Sequence, residues 1–358
     1  MSNLLYIGYL SDKASSGADV VNLNNIEVLK SLYKSSFFEE GLDNTDFWDK
    51  ILLYTGGLSR KCRRRILISI ETNNIDVVFL SSSLLGKLAK VVKRKYPNIR
   101  IISFYHNVER QYAAEQLKVS GLSKFATYIL LTYNEKLSSK YSDYNILLNN
   151  RDRLLFQRYY KRDADLIIPI FFKDVFDVKT LQISKYIYSS KPIALFVGSS
   201  FFANVEGMKW YLAYVHPFVD EQLIIVGKNM DRIFSSNLDQ NYQVYGYIPD
   251  LSELYYNADF VIAPIFSGGG MKTKTAEAFM YGKSIIGTKE AFEGYIVSSD
   301  YAIECNTASQ FIDAINSLIS NPNRTSFNKY AREYYLAHHS FNSIIKLYWD
   351  FLSLNSLL

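Results

Sequence analysis

Cysteine is scarce in this chain, and histidine nearly so. The two cysteines among 358 residues, Cys62 and Cys305, lie far apart and have no metal-ligand spacing, and the four histidines form no HExxH-type cluster. Neither a disulfide framework nor a protein-held metal is expected. Long apolar runs are missing too: no window of eighteen or more apolar residues occurs, so no membrane span is expected. The opening MSNLLYIGYLSDK lacks a basic lead-in and a small-residue cleavage site. It reads as a first strand rather than a signal peptide, which is the basis for expecting a cytoplasmic protein. No GxGxxG follows that strand, which sets a dinucleotide oxidoreductase aside, and no paired-carboxylate constellation supports a two-carboxylate hydrolase. No RNA-binding signature accompanies the 29 tyrosines, so nucleic acid is not an expected partner.

What is present is an ordinary globular balance, 48% hydrophobic and 21% charged, in a chain longer than single cores usually grow. Two α/β domains are expected, with one large domain as the alternative. The net charge of +5 is modest, but basic residues cluster at Arg60, Lys61, Arg63, Arg64 and Arg65 and again at Lys87, Lys90, Lys93, Arg94 and Lys95. An anionic membrane surface, a lipid-diphosphate acceptor or, least favoured of the three, nucleic acid would attract them, and a solvated helix face would explain them equally well.

Short apolar runs alternate with amphipathic stretches, the pattern of β-α units around parallel sheets. Strands are expected at Leu4 to Tyr9, Lys50 to Tyr54, Asp76 to Leu80, Arg100 to Tyr105, Tyr144 to Leu148 and Leu166 to Ile170. Further strands are expected at Ile193 to Val197, Gln222 to Val226, Tyr242 to Tyr245, Phe260 to Ala263, Ser284 to Gly287 and Tyr301 to Glu304. Two doubly wound halves follow, with a junction between Pro169 and Lys191. The aromatic stripe in 325–356 reads as helices packed over one or both halves.

The segment richest in chemistry begins at the strand run DFVIAP, which Pro264 ends. Gly268, Gly269 and Gly270 then lead into a helix expected near 271 to 281, which opens with Met271, Lys272 and Thr273 and which Gly282 closes. Successive glycines let a ligand approach the backbone, and the first N–H groups of a helix are unpaired at a partly positive dipole end. Lys272 and Lys274 add positive charge where the dipole alone disfavours it, which points to a bound anion, a diphosphate in particular. A flexible turn with solvated lysines is the plain alternative. Glu277, one turn on, suits a ribose diol or a salt bridge to Lys274. His106 stands at the carboxyl end of a strand, where doubly wound sheets bind ligands, although a lone histidine is more often structural. Ser15, Ser16 and Gly17 occupy the first β-α loop. Asp163 and Asp165 have DxD spacing but read as a helix–strand connection.

The run APIFSGGGMKTKTAEAFMYGKSIIGTKEAFEGY resembles the signature of retaining GT-B glycosyltransferases of family 4 (group 1), in its variant GGGMKxKxxEAxxxGKxxxxTxxxxEG. LFVGSSFFANVEGMKWYL is similar to the family's C-terminal opening β-α turn, FYHNVER to its strand-end histidine motif, and YIGYLSDKASSGADVVNLNNIEVLKSL to its first strand, loop and helix. The resemblance is dense over Ala263 to Gly294 and looser elsewhere in 1–320. It implies two Rossmann-like domains facing each other across a cleft: an acceptor-binding domain at 1–171, a sugar-nucleotide-binding domain at 172–330, and a C-terminal helix at 331–358 crossing back.

It further implies a retaining, metal-independent transfer from a UDP- or GDP-sugar to a saccharide, lipid-linked or protein-linked acceptor, in bacterial surface polysaccharide or glycoconjugate biosynthesis. Peripheral contact with an anionic membrane is among the expected partners. Lys274, with Lys272 as helper, would neutralise the diphosphate, Glu277 would hold the ribose, and His106 would face the donor sugar. Gly246 and Tyr247 would border the base, and Gly198 and Ser199 would approach the phosphate or sugar. The family commonly has a glutamate where this chain has Gly269, and the Arg and Lys pair found after the VG turn in many members is not evident. A non-catalytic GT-B partner subunit is the alternative reading, and a GT-B epimerase a third.

Overall fold

The computed structural model describes residues 2–10, 17–178, 191–236, 241–321 and 325–358. The chain forms two compact units, Met1–Pro169 with Ile344–Leu358, and Ile170–Ser343.

The first unit is a six-stranded sheet of β1 (Leu4–Gly8), β2 (Phe37–Gly41), β3 (Val77–Leu80), β4 (Arg100–Tyr105), β5 (Tyr144–Leu147) and β6 (Leu166–Ile167). Their order is β2-β1-β3-β4-β5-β6, and every pairing is parallel. The helices are α1 (Gly17–Tyr33), α2 (Phe47–Ile51), α3 (Arg60–Thr72), α4 (Gly86–Lys95), α5 (Glu109–Ser120), α6 (Phe125–Tyr141) and α7 (Asn150–Tyr160). Strands β1 and β3 are buried along their whole length, as sheets covered by helices on both faces require.

Two local readings are corrected here. Lys50 to Tyr54 is not a strand: α2 occupies its start, fixed by a reciprocal capping box in which Asp46 Oδ1 accepts the Asp49 N–H at 2.7 Å. Phe37–Gly41 is an edge strand that apolar content alone does not signal, because three of the five residues of FFEEG are acidic or glycine; the parallel ladder to β1 makes it.

The second unit is also a six-stranded parallel sheet, from β7 (Ile193–Val197), β8 (Gln222–Val226), β9 (Tyr242–Tyr245), β10 (Phe260–Ala263), β11 (Ile285–Gly287) and β12 (Ala302–Glu304). The order is β12-β11-β10-β7-β8-β9. The chain starts in the middle at β7, builds outward to β9, then returns to β10 on the other side. The carboxyl ends of β7 and β10 therefore flank the point where strand order reverses, the place where open α/β sheets bind ligands. The helices are α8 (Phe202–Tyr214), α9 (Ser252–Asn257), α10 (Thr273–Met280), α11 (Ala308–Ser320) and α12 (Lys329–His338).

Of the aromatic stripe near the C-terminus, Tyr334 and Tyr335 are buried in the second unit, where the Tyr335 hydroxyl donates to the Phe172 carbonyl at 2.9 Å. The final helix, α13 (Phe341–Leu354), fastens to the first unit. The Tyr348 hydroxyl donates to Asn25 Oδ1 at 2.9 Å, and Phe351 meets Tyr144 edge-on at 5.4 Å. Among the described residues no helix is long and apolar enough to cross a membrane.

Candidate functional site

Strand β10 is fully buried, and the chain leaves it through Pro264 and Ile265 into an exposed Phe266. Thr288 fastens this exit, its N–H donating to the Ala263 carbonyl and its hydroxyl to the Ile265 carbonyl. Gly207 lets α8 close against the same loop, since a Cβ there would stand 1.8 Å from the Pro264 carbonyl oxygen. Gly268 and Gly270 have φ of +126° and +65°, in the half of conformational space that side chains disfavour. Helix α10 begins at Thr273, two residues after the position expected from sequence, and no side chain caps its N-terminus. Helix geometry leaves its first N–H groups without a partner one turn back; that of Thr275 donates to the Lys272 carbonyl at 3.1 Å, and those of Thr273 and Lys274 follow directly on the glycine loop in the chain. Buried Met271 and the Tyr295 hydroxyl, donating to the Lys272 carbonyl at 2.6 Å, hold this start in place.

Lys274 is buried in the first turn of α10, and its ammonium reaches the end of β7. Its Nζ donates to Asn204 Oδ1 at 2.7 Å and lies 4.3 Å from the centre of the Phe196 ring. A Cβ on Gly198 would come within 2.8 Å of that nitrogen, so only glycine leaves the ammonium its place. Asn204 Nδ2 in turn donates to the Ser199 carbonyl at 2.8 Å. Gly198, Ser199 and Lys274 are thus brought together, and Asn204, which sequence reading missed, joins them. The partner of the lysine is a neutral amide, with no carboxylate in contact among the described residues. Burial, and secondarily the charge of Lys272, lower the Lys274 pKa to about 7.

Lys272 is differently placed: its Nζ meets Glu290 Oε1 at 2.7 Å and the Gly270 carbonyl at 2.8 Å. Its charge is balanced within the protein. Glu277 is half-buried and accepts the Tyr255 hydroxyl at 3.0 Å, not Lys274. Burial raises its pKa to about 7. Tyr255 is itself stacked on Tyr281 at 4.7 Å, so the carboxyl is oriented by a rigid ring. Gly246 packs on a second residue that sequence reading missed: a Cβ there would stand 2.9 Å from Asp231 Oδ2. Tyr247 is exposed. Gly269 is exposed, and a Cβ there would meet nothing within 4 Å.

His106 and Gly17 belong to the first unit. Gly17 opens α1 and is exposed, and Ser15 and Ser16 lie outside the described residues. His106 follows β4 directly, with Nε2 at 3.0 Å from the Ser81 carbonyl and 3.1 Å from Asn22 Oδ1. Two acceptors there fix the proton on Nε2, and burial lowers the ring's pKa to about 4, so the imidazole is neutral near pH 7. The helix that follows is held by the fully buried Glu135, whose carboxylate accepts the N–H groups of Glu109 at 2.7 Å and Arg110 at 2.9 Å. Asp163 pairs with Arg153 at 2.6 Å, and Asp165 accepts the Asn145 N–H at 2.8 Å. Both acids of the DxD spacing are structural. No group of three metal-ligating side chains occurs among the described residues.

Residues 191–321 match the family model described as Glycosyl transferases group 1. No curated protein matches the chain. Among solved structures, sucrose-phosphate synthase from Thermosynechococcus elongatus superposes with a TM-score of 0.72 at 14% identity, covering 100% of both chains. HepE from Anabaena in complex with UDP gives 0.71 at 13% identity, over 98% of this chain and 100% of that one. The catalytic domain of starch synthase IV from Arabidopsis thaliana, bound to ADP and acarbose, gives 0.67 at 10% identity over 99% of each. The two parallel sheets, the strand orders and these superpositions agree: the chain has the GT-B fold, and its second unit carries a glycosyl transferase group 1 domain.

Proposed function

We propose that this protein is a retaining glycosyltransferase, of the hexosyltransferase kind, that moves a sugar from a UDP- or GDP-sugar to a hydroxyl acceptor without a metal. The observation that carries the reading is Lys274: a buried ammonium, held by a neutral asparagine at 2.7 Å, beside the uncapped start of α10. An anion at the glycine loop supplies the missing counter-charge and receives the helix N–H groups. Donor cleavage puts such charge on the leaving diphosphate. HepE was solved with UDP and with UDP-glucose, which supports the choice of donor class.

In this reading the acceptor oxygen bonds to the anomeric carbon as the bond from that carbon to the diphosphate oxygen breaks. The acceptor's proton passes to the departing phosphate on the same face, so no protein nucleophile takes part. Lys274, the α10 N-terminus and the backbone of Gly268, Gly269, Gly270, Met271, Lys272 and Thr273 stabilise the leaving group. Gly198 and Ser199 border the phosphate or sugar, Glu277 holds the ribose, and Gly246 and Tyr247 border the base. Neutral His106 is assigned to the donor sugar, and Gly17 to the loop beside it. The region 1–171 takes the acceptor and 172–330 the donor, with 331–358 returning to the first region. The setting we assign is bacterial surface polysaccharide or glycoconjugate synthesis in the cytoplasm, on a saccharide, lipid-linked or protein-linked acceptor, with peripheral membrane contact.

Titration with UDP-, GDP- and ADP-sugars, followed by assay for donor hydrolysis, tests this. Binding and slow hydrolysis of one nucleotide class is expected, and binding of none would contradict it. Gly269 favours a second reading, a non-catalytic GT-B partner subunit. That subunit would bind nucleotide without turnover and co-purify with another transferase.

A further inference from the structure

We propose that the first unit attaches to an anionic lipid bilayer through the turn carrying α2 and the first half of α6. The capping box that makes α2 a helix turns its apolar residues outward. Phe47 and Trp48 are 69% and 70% exposed, and they contact each other edge-on at 5.7 Å. Ile51 and Leu52 extend the same exposed run. A second exposed apolar stretch begins at the turn before α6 with Leu122, 87% exposed, and continues through Phe125 and Ile129. Fully buried Asn134 joins the two. Its Nδ2 donates to the Leu53 carbonyl at 3.0 Å and the Leu130 carbonyl at 3.1 Å, while its Oδ1 accepts the Lys87 N–H at 3.2 Å. At about 1.5 Å of rise per residue, Phe125 lies about 13 Å along the helix from that joint. Two exposed apolar stretches on segments joined in this way are the basis for an interaction site.

Charge identifies the partner. From 118 to 134 the sequence has Lys118 and Lys124 and no acidic residue. From 46 to 64 the acids are the exposed Asp46, whose Oδ1 accepts the Asp49 N–H, and Asp49, which Arg63 engages at 2.7 Å; against them Lys50, Arg60, Lys61 and Arg64 are exposed. The remaining clustered cations are partly consumed internally: Arg65 pairs with Asp43, Lys93 with Asp143 and Lys95 with Glu71. Protein–protein interface cores are depleted in lysine. Tryptophan and phenylalanine among lysines suit the headgroup layer, where aromatic rings insert and cations meet lipid phosphate. This surface gives a place to the membrane contact named above, and it does not depend on the transferase chemistry.

The test is sedimentation of the full chain with vesicles of phosphatidylcholine alone or mixed with phosphatidylglycerol, alongside a separate nucleotide titration. The protein is expected to bind the mixed vesicles, less so at high salt, and not the neutral ones. Phe47→Ser with Trp48→Ser, and Leu122→Ser with Phe125→Ser, are each expected to weaken binding about tenfold or more. Lys50→Glu with Lys124→Glu is expected to weaken it roughly fivefold per site. Trp48→Phe keeps binding, and all variants keep the circular dichroism spectrum and nucleotide affinity of the parent. Absence of binding to mixed vesicles at low salt, or binding that survives both serine pairs, overturns the proposal. So does lipid-free dimerisation abolished by the serine pairs, which assigns the patch to a second copy. Nucleotide affinity, measured separately, reports on the transferase reading alone.

Discussion

Lys274 and Asn204 are 70 residues apart in sequence, and the lysine donates to the asparagine at 2.7 Å with no carboxylate in reach among the described residues. A buried cation on a neutral partner is poorly compensated, and a well-placed anion is worth more to it than to a surface lysine. Asn204→Asp supplies that anion from within. The variant is expected to melt higher than the parent and to bind nucleoside diphosphate at least about tenfold more weakly, because the new carboxylate both neutralises the lysine and repels the ligand. Differential scanning fluorimetry and calorimetric titration read the two opposite signs. A variant that loses stability and keeps affinity would contradict this account of the lysine.

The lowered pKa of Lys274, about 7, has consequences for pH. A bound diphosphate restores the lysine's proton, so binding above pH 7 takes up protons and weakens as pH rises toward the ordinary lysine value. Calorimetry at pH 8 in buffers of different ionisation enthalpy measures this uptake, and Lys274→Met is expected to abolish it. For stability the sign is the reverse of the common salt-bridge case. Between about 7 and the unfolded lysine value the unfolded chain binds more protons, so this residue's contribution to stability rises with pH across that window. Glu277, raised to about 7, acts in a lower window: the folded chain binds more protons from the ordinary glutamate range up to about 7, and its contribution falls as pH rises there.

The three loop glycines are not equivalent. Gly268 and Gly270 have positive φ and Gly269 does not, and a side chain at Gly269 meets open space. Gly270→Ala is expected to cost about 1 kcal/mol or more through backbone strain and to impair nucleotide binding. Gly269→Glu is expected to leave the melting temperature unchanged. Comparing the affinity of that variant for a UDP-sugar and for UDP alone asks whether a carboxylate at this position touches the sugar. A change confined to the sugar nucleotide is the expected outcome.

Much of this was legible in sequence where local physics decides. FVIA followed by proline and three glycines reads as strand, loop and helix start, and β10 and α10 follow it. KILLY reads as a strand by its apolar run, but the reciprocal Asp46 and Asp49 cap, lying before it, sets a helix. FFEEG carries no strand signal of its own and is made a strand by β1. The site's missing members were invisible because each depends on distant closure. Asn204 meets Lys274 across the β7 and β10 ends, Asp231 meets Gly246 across a turn, and Glu290 folds back to hold Lys272, read from sequence as helper to Lys274.

The most direct test is titration of the purified protein and its Lys274→Met variant with UDP, GDP and ADP, with melting curves of both ligand-free proteins. The variant removes a buried charge and keeps comparable volume, so its ligand-free stability is expected to equal or exceed that of the parent. Its affinity for the preferred nucleoside diphosphate is expected to fall about a hundredfold, the loss of a desolvated charge-assisted contact. Equal affinity in the two proteins would contradict the assignment of the glycine loop and Lys274 as a diphosphate site.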